Sequence, residues 1–200
     1  MIINQIAQGG GGTTPLAIYR TTDANGKILP PDTFMDLGNA TDVGDHGLEY
    51  AFVYSTLTTA DLSKLTAVSG ESGLSHCFHW CPNLTSVDVS NIEILTGSGC
   101  MSYFVTGCSA FTSITFNKLK TINANSGFNY TFRYSGIQNI YFPVLESVGY
   151  NNWSTMLSGI TGCTIHLPTG LDPTGGSTVI SSLQGYPNFG GTNTVLAFDL

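Results

Sequence analysis

The sequence predicts a solenoid, in which short coils of chain stack on one another around a continuous apolar core. Three observations predict this fold class. Apolar residues recur at matching positions every 25–27 residues along most of the chain. Each copy contains a short alternation of apolar and polar residues, which is the pattern of a half-buried β-strand. Apolar residues make up 42% of the 200 residues, enough for one domain with a sizeable core.

Four copies of the repeat align without internal gaps. They begin at Leu57, Leu84, Phe111 and Ile137, so each copy follows the last at a nearly constant interval. A partial fifth copy surrounds Ile165. Four apolar columns result: Ala60, Val87, Ile114, Ile140 and Ile165; Leu62, Val89, Phe116, Phe142 and Leu167; Leu65, Ile92, Leu119 and Leu145; and Val68, Leu95, Ile122 and Val148. Because one coil cannot bury its own apolar face, stacking is needed to build the core.

Within one coil, the spacing of the apolar residues predicts a strand followed by a return. Val87 and Val89 alternate with polar residues and are expected to point inward from a short strand. Ile92 and Leu95 are three residues apart, which predicts an irregular or 3₁₀-like return. The expected solenoid therefore carries short parallel strands on one face and irregular returns elsewhere.

The chain divides into four predicted segments. They are a flexible Gly-rich arm (1–14), an N-terminal hairpin cap (15–33), the repeats (34–168) and a C-terminal cap (169–200). Asn25-Gly26 is the expected hairpin turn, because this dipeptide favours the tight turns that join antiparallel strands. The C-terminal cap is expected to contain a short helix over residues 177–184 and a last strand over 194–200. Such atypical end units cover the apolar end faces of a solenoid.

One unit of the repeat resembles the leucine-rich repeat of the BspA type, which runs roughly Ala-Phe-x-x-Cys-x-x-Leu-x-x-Ile-x-Ile-Pro. The residues that carry the resemblance are Phe78, Cys81, Leu84, Val87 and Val89, then Phe104, Cys108, Ile114 and Phe116, with Ala51-Phe52, Pro143 and Pro168 at matching places. The resemblance covers about residues 34–168. It implies a leucine-rich-repeat solenoid of the kind found in bacterial and protist surface proteins, whose repeats mediate adhesion and recognition.

The stretch from His76 to Cys81 places two histidines and two cysteines close together, which could indicate a metal site. A zinc site needs four ligands that converge tetrahedrally. When the coils are aligned on their aromatic residues, His76 falls opposite Ser102 and His79 falls opposite Val105, so no column of ligands forms. We therefore expect neither a metal nor a cofactor.

The five cysteines predict free, buried thiols rather than disulfides. Their number is odd, and their spacing is not that of a disulfide framework. Cys81 and Cys108 take the same place in consecutive coils, where the resemblance implies a structural cysteine. A buried cysteine packs as a small apolar side chain.

Charge and hydropathy argue against two classes of partner. The net charge is −7, from 13 acidic and 6 basic residues, and no basic patch is visible, so we expect no nucleic-acid partner. No apolar stretch approaches the length of a transmembrane helix, so we expect no membrane insertion. The first residues lack the pattern of a signal peptide. The low share of charged residues, 10%, is common in extracellular and virion proteins, so we expect a cell-surface, extracellular or virion location.

The outward residue of each strand forms the candidate binding surface. In chain order, these residues are Asp61, Asp88, Thr115, Tyr141 and His166. They form a polar, partly acidic row that suits a protein or glycan ligand. The strongest site is expected around Tyr141 and His166, because an aromatic ring gives a large contact area at low conformational-entropy cost. An ordinary solvated sheet would present the same kind of row.

Three functions are consistent with these patterns. The first is a non-enzymatic recognition or adhesion module that uses the strand face. The second is a phage structural protein of the tail or fibre, in which the arm of residues 1–14 would support a homo-oligomer. The third is a glycoside hydrolase that uses Asp61 and Asp88 as its pair of carboxylates. The first is favoured and no catalytic residue is assigned, because acid–base pairs are few and no Gly-x-Ser-x-Gly motif is present.

Overall fold

The computed structural model is a parallel β-solenoid of about five coils with almost no helix. It describes residues 21–22, 28–29, 37, 40–149, 153, 155–171 and 189–200. In chain order, the described strands are β1 (Thr21–Thr22), β2 (Ile28–Leu29), β3 (Asp42–Val43), β4 (Thr59–Asp61), β5 (Ala67–Val68), β6 (Ser86–Asp88), β7 (Ile94–Leu95), β8 (Ser113–Thr115), β9 (Thr121–Ile122), β10 (Asn139–Tyr141), β11 (Ser147–Val148), β12 (Thr164–Leu167) and β13 (Val195–Phe198). A short 3₁₀-helix, η1 (Thr169–Leu171), lies between the last two strands.

Each coil has three sides, and the first, which we call the strand side, carries parallel strands. β4 pairs with β6, while β8, β10, β12 and β13 form a separate sheet of four strands. In β8 only the middle residue, Ile114, is buried, and Ile114, Ile140 and Ile165 lie opposite one another in the ladder. The predicted alternation and the predicted inward column are therefore confirmed.

The second side, which we call the return side, is also a sheet, and here the prediction of irregular or 3₁₀-like returns is wrong. β3, β5, β7, β9 and β11 form one five-stranded parallel sheet. Leu95 points inward from β7 while Ile94 is exposed. Ile92 lies at the bend before this strand, where its N–H donates to the Val89 carbonyl at 3.1 Å. The spacing of Ile92 and Leu95 therefore spans a bend and a two-residue strand, which hides the alternation from the sequence.

The third side, which we call the turn side, consists of linked turns such as residues 71–80. Along these turns the backbone N–H groups alternate. One donates to a carbonyl of the same coil and closes a turn, and the next donates to a carbonyl of the following coil. Cys77 N–H donates to the Leu74 carbonyl at 3.2 Å, whereas Phe78 N–H donates to the Phe104 carbonyl at 2.9 Å. Every fourth residue has a left-handed φ: His46, Tyr50 and Tyr54; Ser72, His76 and Trp80; Gly99, Tyr103 and Gly107; and Ser126, Tyr130 and Tyr134. Bulky side chains disfavour this region, so contacts between coils have to hold the turns in place.

Apolar and aromatic side chains fill the space between the three sides. Phe52 and Phe78 stack along the solenoid axis with their ring centroids 5.3 Å apart, and Phe116 and Phe142 do the same at 5.1 Å. All four rings are fully buried. Burying one such side chain contributes roughly 1.5–3 kcal/mol. Packing of coil on coil is therefore the main source of stability.

The described parts of the two ends agree with the predicted strands. β1 and β2 pair antiparallel, as expected of a hairpin. β13 pairs parallel with β12, which confirms the predicted last strand. The arm at residues 1–14, the Asn25-Gly26 turn and the helix predicted over 177–184 lie outside the described residues. The described part of the chain contains no helix that could span a bilayer.

Candidate recognition surfaces

The strand side holds all five predicted site residues in one outward row. Asp61 lies opposite Asp88 on the neighbouring strand, and Tyr141 lies between Thr115 and His166. β6 and β8 belong to separate sheets, so the row is interrupted between Asp88 and Thr115. It therefore has an acidic part on β4 and β6 and an aromatic part on β8, β10 and β12.

The aromatic part is built around a stacked pair of rings. The ring centroids of Tyr141 and His166 lie 4.2 Å apart, with 12° between the ring planes. His166 Nδ1 lies 2.9 Å from Asp199 Oδ2, and His166 Nε2 lies 3.2 Å from Asn139 Oδ1. These two contacts fix the orientation of the imidazole, which in turn holds the Tyr141 ring. The pair is therefore preorganised.

The Tyr141 ring forms a step in the strand side. One face of the ring lies against His166, so the other face is turned towards Thr115, its neighbour in register on β8. The Thr115 side chain is exposed and too small to cover a phenol ring. A ligand resting on the low polar surface beside Thr115 would meet the Tyr141 ring as a wall.

The acidic part of the row borders a shallow depression of about 410 Å³ over β4 and β6. Asp61 Oδ1 accepts a hydrogen bond from the Ser63 backbone N–H at 2.8 Å, and Asp88 Oδ1 accepts one from the Ser90 N–H at 2.9 Å. Each carboxylate therefore stabilises its own turn and retains acceptor capacity for hydroxyl or amide donors of a ligand. The described residues contain no group of three or more His, Cys, Asp or Glu side chains that could hold a metal ion.

The cysteines and histidines of the 76–81 stretch point to opposite sides of the chain. Cys77 and Cys81 are fully buried, while His76 and His79 are half-buried on the outer surface. The Cys81 thiol donates to the Phe52 carbonyl at 2.9 Å, and the Cys108 thiol one coil later makes the equivalent bond to Phe78 at 3.0 Å. The predicted structural role of these thiols is confirmed.

All five cysteines are free and buried, as the sequence predicts. The neighbouring Cys81 thiol and burial both raise the pKa of Cys108 above its usual range. Burial also raises the pKa of Cys100 and that of Cys163 to about 12. The same contact with Cys108 lowers the pKa of Cys81. Because the thiolate is the reactive form, Cys100, Cys108 and Cys163 act as packing groups rather than nucleophiles at neutral pH.

The alignment that placed His76 opposite Ser102 is wrong by one residue. The His76 ring stacks on Tyr103, and both residues hold the same left-handed position in consecutive coils. The same offset places His79 opposite Thr106 rather than Val105. The spacing from Phe78 to Phe104 is one residue shorter than the spacing from His76 to Tyr103, so aligning these two coils on the phenylalanines gives the wrong register.

The correct register reveals a row of stacked rings on the turn side, which we call the aromatic ladder: Tyr50, His76, Tyr103 and Tyr130. Successive ring centroids lie 4.4, 4.4 and 5.0 Å apart, with interplanar angles of 14°, 9° and 26°. Because the rings stack face to face, His76 and Tyr103 have both faces covered by their neighbours, whereas Tyr50 and Tyr130, at the two ends, each stack on one ring of the ladder. The ladder stabilises the left-handed positions that its members occupy.

A second turn-side column, four residues further along each coil, presents rings differently. Trp80 leans over Gly107, where an added Cβ would lie 2.6 Å from the indole ring. Tyr134 approaches Gly159 with the Cδ1–Cε1 edge of its ring, with which an added Cβ would collide. Tyr54, Trp80 and Tyr134 are 67%, 44% and 51% exposed, and with Tyr50 they are the exposed aromatic side chains of the described chain. We call Trp80 and Tyr134 the ring platforms.

Two cationic or titratable side chains lie between the ladder and the platforms. The guanidinium carbon of Arg133 lies 5.2 Å from the centroid of the Tyr130 ring and 4.6 Å from that of the Tyr134 ring. Its Nη2 donates to the Tyr134 hydroxyl at 3.1 Å. His79 Nδ1 lies 2.9 Å from His76 Nδ1, and burial together with this neighbour lowers the pKa of His79 to about 4.

Sequence reasoning missed the turn side, although the sequence carries a signal for it. Aromatic or imidazole residues occur in pairs four residues apart, as Tyr50 with Tyr54, His76 with Trp80, and Tyr130 with Tyr134. The pairs recur at the repeat period. A search for polar-aromatic columns, alongside the apolar ones, would have found them.

No protein-family model, curated protein or solved structure matches this chain.

Proposed function

We propose that the protein is a non-enzymatic recognition or adhesion module at a bacterial or phage surface, a leucine-rich-repeat solenoid of the BspA-like type that binds a protein or glycan through its strand side. The repeat resemblance supports this assignment at the level of sequence. The observation that carries it is the step at Tyr141, where a fixed aromatic wall stands beside a polar surface.

Rigidity favours binding at this step. The Tyr141 ring is held by His166, which is itself held by Asp199 and Asn139, so little side-chain freedom is lost when a ligand binds. Preorganisation of this kind raises affinity because fewer rotamers have to be ordered. The strand side is continuous with a rigid core, so the site needs no conformational change.

The chemistry of the surface suits neutral or weakly cationic polar ligands. Hydroxyl and amide groups dominate near Tyr141, and the two carboxylates lie at the other end of the row. Asp61 and Asp88 at one end of the row, and Asp199 beside His166 at the other, would all repel an anionic ligand. An aromatic ring beside hydroxyl groups is the combination that sugar rings and tyrosine-rich protein interfaces both use.

The proposal is tested by comparing binding of the native chain with that of Tyr141→Ala on a glycan array and on a panel of purified cell-surface proteins. Val144→Ala is the matched control, because Val144 is an exposed apolar side chain outside the strand side. We expect Tyr141→Ala to weaken binding about tenfold or more, as removal of a central aromatic anchor does, and Val144→Ala to leave it unchanged. If the native chain, Tyr141→Ala and Val144→Ala bind equally well, the binding site does not lie at the Tyr141 step of the strand side.

A further inference from the structure

We propose that the Tyr141 step binds a neutral pyranose, and that this sugar is the end or a branch of a glycan rather than part of a chain that lies along the solenoid axis. The sugar stands upright above Thr115 with one face on the Tyr141 ring, and its hydroxyl groups contact Asp88 and Asn139. This inference rests on the proposed function, because it names the ligand of the same surface.

The orientation of the Tyr141 ring decides how a sugar can stack on it. Tyr141 lies opposite His166 on the neighbouring strand, and their ring planes are 12° apart with the centroids 4.2 Å from each other. The normal to the Tyr141 ring therefore runs from strand to strand, along the solenoid axis, and the ring plane stands across the sheet. A sugar that stacks on the remaining face has to stand upright in the same way.

An upright sugar cannot belong to a glycan that lies along the axis. The glycosidic bonds of an extended pyranose chain leave each ring close to the plane of that ring, so the chain runs parallel to the Tyr141 ring and not along its normal. From the step, the chain leaves either outward to solvent or along β10, which has three residues, Asn139–Tyr141. A strand of that length spans only about 10 Å, so a chain along it soon leaves the surface. The contacts are therefore those of a chain end or a branch.

The polar groups around the step both donate and accept hydrogen bonds. Asn139 Oδ1 faces His166 Nε2 at 3.2 Å, so the amide N–H groups of Asn139 remain as donors. Ser113 and Thr115 on β8 are exposed, and their hydroxyl groups can donate or accept. Sugar hydroxyls have the same double capacity, so they match this mixed set.

Asp88 bounds the space on the side away from Tyr141. It lies two coils from Tyr141 with Thr115 between them, and adjacent coils are about 4.8 Å apart. This interval admits the thickness of one upright ring between the phenol and the carboxylate. Asp88 Oδ1 accepts a hydrogen bond from the Ser90 N–H, and the carboxylate has further capacity to accept bonds from sugar hydroxyls.

Charge and polarity favour a neutral sugar over other ligands that stack on an aromatic ring. Asp88 flanks the space and Asp199 lies beside His166, so both would repel an acidic sugar. An apolar protein side chain would bury the Asp88 carboxylate without a partner, which is costly. A guanidinium would pair with Asp88 but has only donors, so it would leave the Asn139 amide unmatched. A neutral pyranose satisfies all of these groups.

Saturation-transfer NMR on the full chain tests the inference with the methyl glycosides of glucose, galactose, mannose and N-acetylglucosamine, and with methyl glucuronide as the acidic counterpart. We expect at least one neutral glycoside to bind at millimolar concentration and the glucuronide to bind about tenfold more weakly or less. Tyr141→Phe should retain binding, because it keeps the ring, whereas Tyr141→Ala should weaken binding about tenfold or more.

Asp88→Asn should weaken binding about fivefold, because it replaces a charged acceptor by a neutral one. Glu93→Gln is the matched control, since it removes an exposed carboxylate at the start of β7 on the return side, and it should leave binding unchanged. Thermal unfolding of each variant checks that the fold is retained. Oligosaccharides that carry the bound sugar at one end should bind about as tightly as its methyl glycoside.

Affinity that rises steadily with the length of the oligosaccharide would overturn the upright orientation, and equal binding of the glucuronide would overturn the charge preference. If a purified cell-surface protein binds through Tyr141 and no neutral glycoside binds, the sugar assignment fails while the proposed function stands. If neither a protein nor a glycan binds in a way that depends on Tyr141, both fail.

Discussion

The strand side and the turn side join the same coils through different backbone geometries. On the strand side, residues alternate between core and solvent with a period of two, and the inward residue is apolar in each described coil. On the turn side, the period is four, and residues such as Tyr50, His76 and Tyr103 take left-handed φ values of 54°, 52° and 56°. The extended backbone of the strand side is one that these residues favour by themselves, whereas the left-handed backbone of the turn side is one that they disfavour.

The difference shows how stacking stabilises an unfavourable backbone. A left-handed conformation costs roughly 1–2 kcal/mol for a residue with a Cβ. Each ladder residue gains ring stacking, worth about 0.5–1.5 kcal/mol. Tyr50, His76 and Tyr103 also donate a backbone hydrogen bond to the next coil, such as His76 N–H to the Ser102 carbonyl at 2.9 Å, worth a similar amount. Contacts between coils thus offset a local penalty that no single coil could sustain.

The largest expected effect is on the strand side, at Ile114. Ile114 is 4% exposed and lies in a middle coil of the solenoid, opposite Ile140 of the next coil. Ile114→Ala should lower the free energy of unfolding by about 2–5 kcal/mol, because it removes buried methyl groups and leaves a cavity. Denaturant melts measure the loss. Thr115→Ala, next in sequence but exposed, should change stability by less than about 0.5 kcal/mol. Equal losses in the two variants would contradict the assignment of Ile114 to the core and of Thr115 to the surface.

The next effect is on the turn side, at Gly107. Gly107 and Gly162 have φ values of 75° and 77°, but only at Gly107 would an added Cβ meet a ring, that of Trp80; around Gly162 the space is open. Gly162→Ala should therefore cost about 1 kcal/mol from the backbone alone, and Gly107→Ala about 2–3 kcal/mol. Denaturant melts measure both.

The Trp80→Ala background separates the two causes at Gly107. Without the indole ring, Gly107→Ala should cost no more than Gly162→Ala does. If the loss at Gly107 is the same with and without the ring, Trp80 does not lean on Gly107 and the account of the platforms fails.

The strand side could be predicted from the sequence because its pattern is local. Alternation identifies Ile114 and Ile140 as inward residues, and counting by the repeat places Tyr141 beside His166, as the ladder has them. The contact between His166 and Asp199 could not be predicted, because β13 follows β12 at a longer interval than the one that separates the repeats.

The return side and the turn side could not be predicted, for two physical reasons. A strand as short as Ile94–Leu95 cannot show alternation. On the turn side, aromatic residues occupy positions where local preference favours glycine or asparagine, so only the neighbouring coil accounts for them. In addition, aligning the coils on Phe104 instead of Cys108 shifts the register by one residue, and the column of rings is then no longer visible in the alignment.

A smaller loss of stability is expected at low pH because of His79. Burial and His76 lower its pKa to about 4, below its ordinary value of 6.5. The unfolded chain therefore takes up this proton at higher pH than the folded chain does, so stability falls as the pH is lowered from about 6.5 to about 4 and is unaffected by this group below that. Since the side chain is only half-buried, screening reduces the loss to about 1 kcal/mol.

Denaturant melts at pH 7 and pH 4 measure this contribution as the difference between the native chain and His79→Gln. The native chain should lose about 1 kcal/mol more than the variant over this range. An equal loss in the two proteins would mean that the imidazole is not held in its neutral form beside His76.

The measurement that tests the account most directly is a double-mutant cycle on the turn side, because the register of the ladder underlies both the left-handed turns and the ring platforms. The cycle combines His76→Ala with Tyr103→Ala, and a parallel cycle combines His76→Ala with Ser102→Ala; the backbone penalty at residue 76 cancels in both. We expect a coupling energy of about 0.5–1.5 kcal/mol for His76 with Tyr103, whose rings lie 4.4 Å apart, and a value near zero for His76 with Ser102. Coupling to Ser102 and none to Tyr103 would contradict the register of these two coils and the ladder built on it.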